Sequence, residues 1–270
     1  LKLYVADRHA GDGSLFGDRE FLPKSQTGYH NATACFSADR TTVYFSTNTV
    51  KKKNRLINNG DGTNNLRIMR GTIIDGTLTD VVPMPFNSQN YSVSHPALSP
   101  DGRWLYFVSD MSGGYGGTDI YKAKIDGNSY GKPQNLGPLI NTPGKEMFPF
   151  LKGDKLYFAS DGHYGLGGLD IFESNITGES YSEPQNMGAP LNGNRDDFAF
   201  VIDSADTKGY FSSNREGGKG DDDLYAFRKE TPPCSRRMQG VIVDEQDNST
   251  PVKNGEVRVY NDAAPVAVTS

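Results

Sequence analysis

The sequence predicts an all-β protein built from one repeated four-strand unit, and three observations predict it. A Tyr-Phe pair closes a short apolar strand four times, in Val43-Tyr44-Phe45-Ser46, Leu105-Tyr106-Phe107-Val108, Leu156-Tyr157-Phe158-Ala159 and Gly209-Tyr210-Phe211-Ser212. The tyrosines lie 62, 51 and 53 positions apart, and the longer first interval holds a Lys/Asn-rich insertion at 50–64. Glycine is abundant at 31 residues, with Tyr and Phe at 14 each. That mix suits short strands joined by tight turns, because Gly supplies positive φ and aromatic rings pack on pleated surfaces. No stretch shows the 3.6-residue period of a helical solenoid. A repeat of four short strands therefore reads as the blade of a β-propeller.

Each unit runs in the same order. An apolar strand and a turn come first, most clearly in Pro96-Ala97-Leu98-Ser99-Pro100-Asp101-Gly102, where Pro fixes φ and Gly accepts positive φ. The Tyr-Phe strand follows, then a Gly-rich loop and a third strand. These are Ser109-Asp110 to Asp119-Ile120-Tyr121, Ser160-Asp161 to Asp170-Ile171-Phe172, and Ser213-Asn214 to Asp223-Leu224-Tyr225. An edge segment closes two units, Pro133-Gln134-Asn135-Leu136-Gly137 and Pro184-Gln185-Asn186-Met187-Gly188. Proline at its start suits an edge strand, which does not donate every ladder hydrogen bond. Residues 1–28 read as the outer half of an earlier blade, and Leu1 to Val5 as mid-strand, so the chain is expected to continue upstream. Five blades are expected, the first incomplete, with four or six as alternatives.

The propeller is expected to span 1–229, followed by a linker at 230–235 that contains Pro232 and Pro233. Residues 236–270 read as the first strands of a small β-sandwich, too short to bury a core alone. Cys35 sits in a strand-like run and is expected as a buried free thiol; with only Cys234 besides, the redox compartment stays open.

Charge and hydropathy exclude some functions. The formal charge is −5, from 28 Lys+Arg and 33 Asp+Glu, which argues against a nucleic-acid surface. Mean hydropathy is −0.60, and no apolar run approaches the roughly 18 residues that would span a bilayer. Lys51-Lys52-Lys53 with Arg55 precedes an Asn/Gly-rich turn and reads as a solvated hairpin tip.

No catalytic set, metal-ligand spacing or cofactor motif stands out in the sequence. The four histidines (His9, His30, His95, His163) show no zinc-ligand spacing. A nucleophile elbow is absent. Asp101, Asp119, Asp170 and Asp223 recur in register at turns or strand starts, where a carboxylate caps local backbone. The Gly-rich loops lead into strands rather than helices, so they read as hairpin tips and not as phosphate cradles. In an up-and-down blade, those loops share one end with the start of the innermost strand. His30, His95, Glu146, Asp196 and Asp197 are therefore expected around one mouth of the channel, rimmed by Tyr115, His163, Tyr164 and Arg215. That mouth is the candidate binding surface, for a cation, small ligand or peptide; a hydrated channel with satisfied polar groups is the plainer alternative.

Four strings carry a resemblance: Ser94-His95-Pro96-Ala97-Leu98-Ser99-Pro100-Asp101-Gly102, Phe107-Val108-Ser109-Asp110-Met111, Gly113-Gly114-Tyr115-Gly116-Gly117-Thr118-Asp119-Ile120-Tyr121 and Gly209-Tyr210-Phe211-Ser212-Ser213-Asn214-Arg215. They resemble the WD40-like (PD40) propeller of OmpA-family envelope proteins from Bacteroidetes, some of which, the PorE-type lipoproteins, belong to the type IX secretion apparatus. The tail, with Gly240-Val241-Ile242-Val243-Asp244 and Pro251-Val252, is similar to the carboxypeptidase-regulatory-like domain that follows that propeller. The resemblance implies a non-enzymatic, periplasmic scaffold at the outer membrane. Its expected partners are envelope or outer-membrane proteins, with peptidoglycan reached through an OmpA-like domain absent from these residues. A glycan-binding or glycan-hydrolysing propeller is the alternative from another class, and propeller-gated proteolysis a third.

Overall fold

The computed structural model describes residues 4–8, 15–20, 31–51, 55–60, 62–75, 77–229, 243, 246, 250, 251, 257–261 and 264–269. None of these is helical. The chain divides into two compact units, 1–229 and 230–270.

The first unit opens on the hairpin β1 (Tyr4–Arg8) and β2 (Leu15–Glu20). Four antiparallel sheets follow. Blade one comprises β3 (Asn31–Phe36) and β4 (Thr42–Asn48), a side hairpin of β5 (Val50–Lys51) and β6 (Arg55–Leu56), then β7 (Leu66–Ile74) and β8 (Thr77–Pro83), with the sheet order β3-β4-β7-β8. Blade two has β9 (Val93–Leu98), β10 (Trp104–Ser109), β11 (Asp119–Asp126) and an edge split into β12 (Ser129–Tyr130) and β13 (Gln134–Asn135). Blade three repeats it with β14 (Glu146–Lys152), β15 (Lys155–Ser160), β16 (Asp170–Thr177), β17 (Ser180–Tyr181) and β18 (Gln185–Asn186). Blade four has three strands, β19 (Asp197–Ile202), β20 (Lys208–Ser213) and β21 (Asp223–Arg228). The innermost strands β3, β9, β14 and β19 each touch the next in sequence.

The Tyr-Phe pair owes its recurrence to the two-residue period of a strand, which sends successive side chains to opposite faces. Tyr44 packs with Phe107 between blades one and two. Tyr106 packs with Phe158 between blades two and three, and Tyr157 with Phe211 between three and four. Blades two and three thus give one ring to each neighbour, and their core is a series of inter-blade layers. The tyrosine hydroxyls pair as well: Tyr44 lies 2.8 Å from the Tyr130 hydroxyl and Tyr106 lies 3.0 Å from that of Tyr181. Beside the second pair, the Lys122 ammonium sits 4.7 Å over the Trp104 ring and 2.7 Å from Glu179.

One repeated device escapes the residue pattern of the strands. The Asn141 side chain accepts from the Ile120 N–H at 2.8 Å and donates to the Ile120 carbonyl at 3.0 Å. Asn192 does the same to Ile171, at 2.8 Å for both bonds, and Asn87 to Ile68 at 2.9 and 2.7 Å. In blades one to three, a single amide thus closes the outward-facing N–H and carbonyl of one residue of the third strand, which would otherwise be buried and unpaired.

The described residues form four blades. The expected fifth, with residues 1–28 as its outer half, rests mostly on residues outside the described set. The described part of the second unit is the antiparallel pair β22 (Val257–Asn261) and β23 (Ala264–Thr269), with a bridge from Val243 to Pro251. The linker at 230–235, Cys234 and most of the expected sandwich lie outside the described residues, as do His9 and His30.

Candidate functional site

The loop end of the blades is a set of polar rows. Across blade three, Glu146 pairs with Ser160 and Ser160 with Asp170; across blade four, Asp197 pairs with Ser213 and Ser213 with Asp223. The start of the first strand and the Gly-rich loop therefore do share one end. The carboxylates there are engaged in holding it together. Glu146 is fully buried; it accepts from the Thr142 N–H at 2.9 Å, the Thr142 hydroxyl at 2.6 Å and the Ser160 hydroxyl at 2.8 Å. Burial pushes its carboxyl above the usual range, against the pull of the Thr142 and Ser160 donors. Asp197, also fully buried, accepts from the Gly193 N–H and the Arg215 guanidinium, both at 2.6 Å. Arg215 reaches on to the Leu191 carbonyl at 2.7 Å and lies over the rings of Phe211 and Tyr225.

The Gly-rich loops lock one blade to the next. The Glu146 N–H donates to the Thr118 carbonyl at 2.8 Å, and Asp197 to that of Leu169 at 2.6 Å. Asp196 accepts from the Leu169 N–H at 2.8 Å and the Asn214 amide at 3.0 Å. The glycines permit this contact: a Cβ on Gly116 would stand 2.2 Å from the Thr142 carbonyl oxygen, and one on Gly167 2.2 Å from that of Arg195. Inside the loops, Asp119 accepts from the N–H groups of Tyr115 and Gly116 at 2.7 and 3.2 Å, and Asp223 from those of Lys219 and Gly220 at 2.6 and 3.0 Å. Asp170 takes the Leu166 and Gly167 N–H groups in the same way. Asp101 lies in the turn at the other end of its blade, where the Ser99 hydroxyl and the Arg103 N–H hold its carboxyl down to about 2.

The rim residues separate into two kinds. Tyr115 and Tyr164 are exposed, Tyr164 completely. His163 turns inward: its Nε2 donates to the Ile140 carbonyl at 2.9 Å, and its ring packs on Phe158 and Phe172. His95 parts from the loop end and faces the axis.

The axial wall is built by one feature repeated four times. Every innermost strand carries a β-bulge, between Ala32 and Ala34 in β3, and opposite Tyr106/Val108 in β9. The same break lies between Met147 and Phe150 in β14 and between Phe198 and Val201 in β19. At each bulge a residue other than Gly takes a left-handed conformation: Thr33 (φ 35), His95 (φ 49), Phe148 (φ 52) and Ala199 (φ 53). Such conformations are strained for residues with a Cβ, most of all for β-branched or bulky ones. All four line a single cavity of about 390 Å³ between the four strands, with Cys35 and Phe36 among its other walls. The Phe148 ring lies 4.1 Å from the His95 ring and 4.9 Å from that of Phe198. Ser46 joins two bulges, with the Thr33 hydroxyl 3.0 Å away and the His95 N–H donating at 3.0 Å. Burial pushes the His95 ring down to about 4 and the Cys35 thiol upward, so both are neutral at pH 7. The channel is an apolar, aromatic-lined site. No residue-type signal marks the bulges, because none of the four uses Gly.

Among the described residues no group of three or more His, Cys, Asp or Glu could hold a metal ion. No helix among them is long and apolar enough to cross a membrane, which says nothing of a β-barrel.

Sheet order, inter-blade layers and the shared axial cavity define a β-propeller. Solved structures similar to it include TolB from Acinetobacter baumannii (13% identity, TM-score 0.49, covering 84% of this chain and 46% of that one). A puromycin-hydrolysing peptidase of Mycobacterium tuberculosis is similar at 16% identity and a TM-score of 0.48, covering 83% of this chain and 36% of that one. The tricorn protease is similar at 9% and 0.47, covering 84% and 23%. This chain spans less than half the length of each of the three. No family model matches the chain, and no curated protein matches it.

Proposed function

We propose that this propeller is a non-enzymatic protein-binding scaffold whose axial channel receives an apolar segment of a partner polypeptide. The observation that carries this reading is the fourfold recurrence of strained, non-Gly bulges around one apolar cavity. Strain of this kind costs of order 1–3 kcal/mol per residue and tends to cluster at binding and switch sites. The acidic residues support the same reading from the other side, since Glu146, Asp196 and Asp197 are engaged in loop and blade contacts. A pair of carboxylates poised for glycoside hydrolysis would need free oxygens facing a substrate.

The resemblance of the repeats to PD40 propellers of OmpA-family proteins supports the wider setting we propose. The protein works in the periplasm against outer-membrane proteins, within a longer polypeptide that supplies a fifth blade and an OmpA-like, peptidoglycan-binding domain. Service in the type IX secretion apparatus is the most specific form of this proposal.

A photo-cross-linking residue at Phe36 or Val201, both exposed and lining the channel, tests it in the native envelope. The expected result is a discrete protein adduct from these positions and none from Tyr164 on the loop end. Saturable hydrolysis of a glycan, abolished by Glu146→Gln or Asp197→Asn without loss of fold, would overturn it.

A further inference from the structure

Blade four differs from its sisters at its outer edge. In blade two, β13 lies along β11, with Asn135 opposite Tyr121 and Gln134 opposite Lys122. In blade three, β18 lies along β16, with Asn186 opposite Phe172 and Gln185 opposite Glu173. Among the described residues no strand pairs with the outer edge of β21.

The sister blades show what such a strand contributes. Its Asn donates to the Asp that starts the third strand, Asn135 to Asp119 at 2.8 Å and Asn186 to Asp170 at 3.3 Å. The next residue, Leu136 or Met187, packs against the inter-blade core. A second Asn, six positions after the first, clamps both peptide groups of Ile120 or Ile171.

Blade four keeps the receiving half of each contact. Asp223 starts β21 in register with Ser213, as Asp119 does with Ser109. Its carboxylate takes two loop N–H groups but is only half-buried, whereas Asp119 and Asp170 are fully buried. Leu224 stands where Ile120 and Ile171 stand and is 56% exposed, against 0% and 1% for those two. The register of Ser212 with Leu224, matching Val108 with Ile120, turns the Leu224 N–H and carbonyl outward. The sequence that follows β21 has no asparagine before Asn248, so it holds neither the Gln-Asn pair nor the clamp at the spacing of the sisters.

We infer that the outer edge of β21 is a second docking site, which takes an extended strand of a partner polypeptide reading Gln-Asn-Leu/Met-Gly with an Asn six positions after the first. Backbone pairing supplies the affinity, and the Asn donors and the apolar side chain supply the selectivity, as in other cases of strand addition to a sheet edge. The site is separate from the axial channel, and its success or failure leaves the reading of the channel untouched.

The test uses the 270-residue chain and a fluorescent 12-residue peptide copying Ser182 to Gly193. Saturable binding is expected by anisotropy. Asn186→Ala in the peptide, which removes a charge-assisted hydrogen bond, is expected to weaken it about tenfold. Leu224→Lys, at an exposed position whose change spares the fold, is expected to abolish it. Hydrogen exchange gives an independent readout: the Leu224 amide is expected to exchange fast in the free chain and to become protected when peptide binds, to the level expected of the Asn-bonded Ile120 and Ile171 amides. Absence of saturable binding, or indifference to Asn186→Ala, overturns the inference. So does a Leu224 amide already protected in the free chain, which would assign the edge to another part of the same polypeptide.

Discussion

At the loop end of blades three and four, Glu146 and Asp197 are fully buried, with Thr142, Ser160, Gly193 and Arg215 arrayed around them. Two residues further along the same strands, Phe148 and Ala199 face the axial cavity in strained left-handed conformations with no polar partner for their side chains. The difference between these regions teaches where the propeller spends its polar residues. The Glu146 and Asp197 carboxylates tie their own strands to the loops before them, Asp196 reaches Leu169 of the neighbouring blade, and a buried charge must be fully satisfied. The axial wall is lined mainly by apolar groups and carries the four strained bulges, with Ser46 as a polar link between Thr33 and His95.

The largest effect is expected where the loop end is cut. Asp197→Ala leaves the Arg215 guanidinium, whose side chain is 27% exposed, facing a partly desolvated site without its counter-charge. Removing one partner of a buried ion pair costs about 3–5 kcal/mol, and the partial exposure of Arg215 places this case near the lower figure. Urea unfolding checks it: the midpoint should fall while the denaturant slope holds. A loss below about 1 kcal/mol would mean that the loop end is loosely held, and the contrast with the axial wall would fail.

The axial wall gives the next effect, and it appears as pH dependence. The folded His95 ring titrates at about 4, below its ordinary 6.5, because burial disfavours the imidazolium. A depressed folded value means that the unfolded chain takes up the proton first. The stability tied to neutral His95 is thus complete above about pH 6.5 and is lost as pH falls toward 4. About 2 kcal/mol is expected over that window, after allowance for a ring that borders the channel. Glu146 acts with the opposite sign, since its raised carboxyl favours the folded state once protonated. Wild type is therefore compared with His95→Asn, a residue that tolerates left-handed backbone, and the difference between their stability–pH curves isolates the histidine. Parallel curves would show a hydrated His95 and break the account of an apolar channel.

Much of the ring was legible because strands advertise their faces. The Tyr-Phe pair recurs at 44, 106, 157 and 210, and in the two middle blades it gives one ring to each neighbour, a demand that leaves a repeat in the sequence. The Asn clamp leaves its own spacing in the sequence: Asn135 and Asn141 are six apart, as are Asn186 and Asn192. Of the residues expected at the polar mouth, Glu146, Asp196 and Asp197 lie at the loop end, His95 faces the axis and His30 lies outside the described residues. Glu146 and Asp197 bond the loops just before their own strands, at Thr142 and Gly193, and position along a strand does not reveal that. The bulges were beyond reach. Thr33, His95, Phe148 and Ala199 have neither size nor polarity in common, so their shared backbone state is set by sheet geometry and by no residue preference.

The smallest expected effect is a gain, and it sharpens the comparison within the loop end itself. Asp119 and Asp170 hold equivalent loops, yet Asp170 Oδ1 is buried without a hydrogen-bond partner. The difference traces to the residue two positions on. In blade two it is Tyr121, whose hydroxyl lies beside Asp119 and Asn135; in blade three it is Phe172. An unsatisfied buried oxygen costs about 1–3 kcal/mol, and a hydrogen bond to a charged acceptor recovers about 1 kcal/mol or more. Phe172→Tyr supplies the missing donor without removing the ring that packs on Phe158 and His163. It should raise stability by about 1 kcal/mol, read as a higher urea midpoint, and the gain should vanish in Phe172→Tyr combined with Asp170→Asn. A loss in the single variant would show that His163, 5.2 Å from the Phe172 ring centre, has closed the space where the hydroxyl must sit. The two blades would then differ by packing and not by a single missing donor.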